Sequence, residues 1–154
     1  MAQIDKADLK VLKEHHANVS ETIGVGEKNE KNDVLLIQVL FKLVGFSDHY
    51  AKKYFGLTVK DLPELNGKLD EKTIRAIWSF QRKMSHQLQN VDGKIHPASY
   101  SDRVLKKAYQ GGRVMVITLL NMLAPDGALM YYNTDVVSAI KVIAPQLIFK
   151  SEAS

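Results

Sequence analysis

The segment VLLIQVLFKLVGF, residues 34–46, constrains this chain's fold more than any other stretch. It is apolar on nearly every side, with Gln38 and Lys42 as its polar interruptions. A run of this length that closes on Gly45 reads as a buried helix rather than a strand. A helix without a polar face must be surrounded, so the remaining residues have to supply its neighbours. With 154 residues, 45% of them hydrophobic and 25% charged, the chain has the balance of a globular protein and enough length for one core.

Residues 5–17 place Leu9, Leu12 and His16 at helical spacing, which predicts a short N-terminal helix. The loop GVGEKNEKND follows, and Asp33 at its end is a natural helix N-cap. After Phe46, residues 47–65 are too long for a bare connection, so a short helix is expected around 48–55, stopped by Gly56 and followed by a turn at Pro63. From residue 113 the chain turns strongly apolar. One helix is expected to end before Pro125 and another, carrying Val136, Val137, Ile140 and Ile143, before Pro145. Val114, Val116, Ile117 and Thr118 leave a strand open as the alternative for the first. So apolar a tail should pack on the rest or meet a protein partner.

Two stretches in the middle repeat one pattern. LNGKLDEKTIRAIWSFQRKM, residues 65–84, sets a glycine turn, an apolar residue two places on, and then a helix capped by Asp70 or Thr73 that runs to about residue 88. On that helix Ile74, Ile77, Trp78 and Gln81 fall at i, i+3, i+4 and i+7. VDGKIHPASYSDRVL, residues 91–105, repeats the turn and the apolar residue, with Ser101 placed to cap a shorter helix closed by Gly111-Gly112. Trp78 and Phe80 cannot both face the core, so one of them is expected at a surface.

Together with the apolar helix, these stretches resemble the peptidoglycan-binding domain of cell-wall hydrolases. The residues that carry the resemblance are Val34, Ile37, Gln38, Phe41, Gly45, Phe46, Gly67, Leu69, Thr73, Ala76, Ile77, Phe80, Gln81, Asp92, Gly93 and Ile95. It spans roughly residues 24–110, and its loop and long second turn look like the variant linked to type VI secretion and phage. The resemblance implies a mainly α fold, a three-helix bundle with a shallow groove for glycan and stem peptide and no catalytic machinery. Additional N- and C-terminal helical segments, 1–23 and 113–154, would flank a binding domain at 24–112. Asn66 departs from the family's usual Asp, Asp70 stands where a second glycine is expected, and residues 47–62 form an insertion placed to cover or extend the groove.

Charge and composition narrow the chemistry. There are no cysteines, which excludes disulfides, thiolate metal sites and a cysteine nucleophile. His15, His16, His49, His86 and His96 form no metal-ligand spacing, and Glu14-His15-His16 is not H-E-x-x-H. No G-x-S-x-G occurs, and Asp70, Glu71 and Asp92 sit on turns or helix starts, where carboxylates cap helices. Neither an enzyme nor a cofactor is expected. Residues 66–112 hold nine Lys/Arg against four Asp/Glu, which suits an anionic polymer. No nucleic-acid motif accompanies them, so the wall is the expected partner rather than nucleic acid. Aromatic faces beside cations nominate Tyr50, Tyr54, Arg75, Trp78, Arg82 and Tyr100 as groove residues. A protein–protein adaptor on the same fold is the alternative. The charged opening lacks the apolar core of a secretory signal, and no run is long enough to span a membrane. Synthesis in the cytoplasm without a signal peptide, then a leaderless route to the wall, is the expectation.

Overall fold

The computed structural model describes residues 3–6, 15–98 and 113–147. The chain is mainly α-helical, built around α1 (Lys31–Val44), whose residues from Asp33 to Phe41, with Leu43 and Val44, are all buried. Gly45 ends it, its N–H donating to the Phe41 carbonyl at 2.8 Å. The N-cap differs from expectation: Glu30 takes that place, its carboxylate accepting from the Asn32 and Asp33 N–H groups. Asp33 lies in the first turn and points back, accepting from the Ser20 N–H at 2.8 Å, the Ser20 hydroxyl at 2.7 Å and the Glu21 N–H at 3.1 Å. It fastens the incoming loop rather than the helix.

Ser47 caps α2 (Asp48–Phe55), which stops at Gly56 as the sequence predicts. A single 3₁₀ turn, Val59–Asp61, leads to Pro63, and α3 (Glu71–Lys83) starts from Asp70, whose carboxylate accepts from the Thr73 N–H. The helix is shorter than expected, because Ser85–Gln87 continue as 3₁₀. Phe41, Phe55 and Phe80 meet where the three helices join, with the Phe41 and Phe55 centroids 5.1 Å apart and edge to face.

Both turns are held by one device. Buried Gln38 accepts from the Asn66 and Gly67 N–H groups at 3.0 and 2.8 Å and donates to the Asn66 side chain, the Lys68 carbonyl and the Thr73 hydroxyl. Buried Gln81 accepts from the Gly93 N–H at 2.7 Å and donates to the Lys94 carbonyl at 2.8 Å and to Asp92 at 3.3 Å. Gly67 and Gly93 have φ of 71° and 74°, a region that L side chains rarely adopt. The sequence repeat is therefore a repeated amide clamp on a left-handed glycine turn.

The N-terminal segment departs from the expected helix over 5–17. β1 (Gln3–Lys6) and β2 (His15–Asn18) pair antiparallel, Ile4 opposite Ala17, while 7–14 lie outside the described residues. The reason is tertiary. The Asn121 amide accepts from the Ala17 N–H at 2.9 Å and donates to the Ala17 carbonyl at 2.8 Å, as a neighbouring strand would. Asn18 makes the same two-way bond to Ala98. Extended backbone satisfied in this way outweighs a weak helical spacing.

Asn121 belongs to α4 (Val116–Leu123), which ends before Pro125 as expected. The strand alternative survives only at Val114, which bridges to Leu88. Pro125 also starts a helix the sequence reading did not anticipate, α5 (Pro125–Tyr132), and α6 (Val136–Ile143) follows from an Asp135 cap. All three of these helices pack on α1. At Gly127 the approach is so close that a Cβ would lie 2.0 Å from the Leu43 carbonyl oxygen. Residues 99–112, with the expected Ser101-capped helix, lie outside the described residues.

Candidate functional site

A groove of about 730 Å³ opens where the C-terminal end of α1, the 59–65 connection and α5 meet. Leu43, Gly45, Leu62, Pro63 and Leu65 form its apolar lining, while Phe46, Tyr131 and Tyr132 supply aromatic rings. Lys42, Lys60 and Lys72 line it beside one acid, Glu64. All three lysines are exposed, and among the described residues none of them forms an ion pair. The Lys72 ammonium donates to the Lys60 carbonyl at 3.2 Å, which draws the start of α3 to the 3₁₀ turn. Tyr131 is 61% exposed and meets Phe46 edge to face at 5.4 Å. One of its ring faces is thus open to a ligand.

The structure distributes the six nominated residues differently. Tyr50 and Tyr54 are half-buried on α2 in a stack that begins at Phe46, with centroids at 4.5 Å for Phe46–Tyr50 and 6.1 Å for Tyr50–Tyr54. Tyr50 is ringed by Phe46, Tyr54 and the edge of His49, so its faces are occupied by protein. Lys53 covers the Tyr54 ring at 5.3 Å. The pair buttresses the Phe46 end of the groove without lining it.

Trp78 and Arg82 lie together elsewhere, the guanidinium 5.3 Å from the indole centroid. The indole edge rests on Gly93, where a Cβ would come within 2.5 Å of Trp78 Cε2 and Cζ2. Phe80 is the core residue of the pair considered and Trp78 the surface one, but Trp78 covers a turn rather than walling a groove. Arg75 is exposed on α3, where its charge helps lower the Asp61 carboxyl after the stronger effect of the Thr58 hydrogen bonds. Tyr100 lies outside the described residues.

Beside the second turn, His96 Nε2 lies 2.8 Å from Asp92 Oδ2 and its Nδ1 3.1 Å from the Thr22 hydroxyl. Partial burial pushes the Asp92 carboxyl up, but hydrogen bonds from His96, the Lys94 N–H and Gln81 outweigh it and hold it below the usual carboxylate range. The Ile23–Ile95 bridge lies alongside, so this hydroxyl–imidazole–carboxylate chain ties the N-terminal loop to the turn. None of its members lines the groove. Among the described residues no three His, Asp or Glu converge in an arrangement that could hold a metal ion.

The groove residues that sequence reasoning missed are Lys42, Phe46, Lys60, Lys72, Tyr131 and Tyr132. Phe46 was visible as a motif residue without a role. The run GALMYY carried the other signal, two adjacent tyrosines after an apolar stretch. Among the described residues no single helix is long and apolar enough to cross a membrane; α1 and α2 pass jointly on composition but bend by 116°, and α1 is buried. In comparisons with known proteins, no family model, no curated protein and no solved structure matches this chain.

Proposed function

We propose that this chain is a non-catalytic module that binds bacterial cell-wall peptidoglycan and brings an associated hydrolase, or a secretion or phage component, to the wall. The observation that carries the reading is the open groove, in which the exposed face of Tyr131 stands among three unpaired lysines. Aromatic rings stack on sugar and peptide planes, and ammonium groups pair with the carboxylates of an anionic polymer. The paired amide clamps, on residues that carry the family resemblance, support the same reading. They place their glutamines in the fold and leave the groove to bind. Reversible adsorption is the mechanism, with the partner enzyme on a separate chain.

Co-sedimentation of the purified protein with insoluble sacculi, at low and moderate salt, tests it. Pelleting that persists at moderate salt without release of soluble fragments is the expected result. A protein–protein adaptor is the second reading, favoured by Leu129 and Met130 on α5 and Val142 on α6, all more than 60% exposed. A protein that stays in solution with every sacculus preparation overturns wall binding and leaves the adaptor.

A further inference from the structure

The polar groups that line the groove are of few kinds. They are three ammoniums, one carboxylate and two phenols, with no Asn, Gln, Asp or Arg side chain among them. Sugar hydroxyls are recognised by groups that donate and accept in a plane, the amides, carboxylates and guanidinium forks. The glutamines that could serve are engaged elsewhere, Gln38 and Gln81 being spent on the two turns. Against this, Leu43, Leu62, Pro63 and Leu65 give an apolar surface for small methyl side chains. The lysines stand as separate point charges, each suited to a single carboxylate.

Resting on the wall-binding reading above, we infer that the groove recognises the peptide part of the polymer and not its glycan. A stem peptide bears several carboxylates, alanine methyls and, in many walls, a free amine. Lys42, Lys60 and Lys72 receive the carboxylates, Glu64 the amine, the apolar lining the methyl groups, and Tyr131 covers the peptide planes. Residues of the 47–65 connection and of α5 supply most of this surface, so the specificity resides in segments outside the two repeated turns.

The experiment uses the full chain and three probes: intact sacculi, sacculi stripped of stem peptides by an amidase to leave bare glycan, and a free stem tetrapeptide. The expected result is pelleting with intact sacculi, at least tenfold weaker pelleting with bare glycan, and competition by the tetrapeptide. That competition should be abolished when the peptide's carboxylates are amidated. Lys60→Gln with Lys72→Gln should weaken binding to intact sacculi about tenfold, the loss of one charge-assisted contact, with an unchanged unfolding midpoint because both side chains are exposed. Equal pelleting with bare glycan, or competition by the amidated peptide, overturns peptide recognition and leaves wall binding standing. Failure to pellet with either preparation overturns both.

Discussion

Gln38 and Gln81 show how much a single buried amide can decide. Each pairs a glycine N–H and a turn carbonyl that face no water, so truncation strands those groups. Gln38 serves five partners and Gln81 three, so Gln38→Ala should cost about 3 kcal/mol or more and Gln81→Ala less. Urea unfolding of the two variants checks this, and equal small losses would mean the turns hold without their clamps. Asp70 offers a titratable counterpart. Partial burial raises its carboxyl, but the Thr73 and Asn66 hydrogen bonds outweigh that and place it below 3.8. Its contribution to stability is therefore full above the unfolded value and is lost as pH falls through the folded one. Asp70→Asn keeps a capping oxygen but cannot titrate, so its stability should fall less steeply than the parent's between about pH 5 and pH 2. Parallel slopes in acid urea titrations would remove Asp70 from the acid response. Gln81 was legible from the sequence as a residue bonding backbone within the bundle. Asp33 was legible only as polar and near a helix start, since its partners at Ser20 and Glu21 are contacts across a loop that no local rule supplies.

At the scale of elements, periodicity and caps located α1, α2, α3, α4 and α6, because each carries its own apolar face and terminal signal. What they could not supply was the outcome of competition between local and distant partners. The N-terminal hairpin exists because Asn121, more than a hundred residues away, captures the Ala17 backbone. Helix α5 was missed because Pro125 was read only as a stop, although proline is also well suited to a first helical turn. Gly127 turns that oversight into a test. Helix propensity alone predicts that Gly127→Ala stabilises α5 by about 1 kcal/mol. The Leu43 carbonyl, 2.0 Å from the added Cβ, predicts the opposite: α5 must lift from α1, at about 2–4 kcal/mol. A lowered denaturation midpoint would show that α5 is held by close approach of backbones, whereas a raised one would mean that α1 and α5 stand further apart. Because the groove lies between these helices, the variant should also bind sacculi more weakly than its stability loss explains.

For the whole molecule, a mainly helical bundle was legible because one fully apolar helix demands neighbours, and the apolar tail provided them. The binding face was not, because aromatic residues were ranked by their company in sequence. Tyr50 and Trp78 had promising neighbours, yet Phe46 and Tyr54 flank the first and Gly93 with Arg82 cover the second. Tyr131, with little charge nearby in sequence, is the ring left open. The net charge of +4 complicates any binding measurement, since a basic protein adheres to an anionic wall without a specific site. Salt separates the two contributions, because screening weakens exposed charge pairs and leaves stacking nearly untouched. Tyr131→Ala should therefore weaken sacculus binding about five- to tenfold, as expected for loss of one aromatic contact. That factor should be the same at low and moderate salt, with thermal stability unchanged because the side chain is mostly exposed. Lys60→Gln should behave differently, with a large effect at low salt that shrinks as salt rises. If the two variants respond to salt alike, the protein adheres through its overall charge and the groove is not where the wall is held.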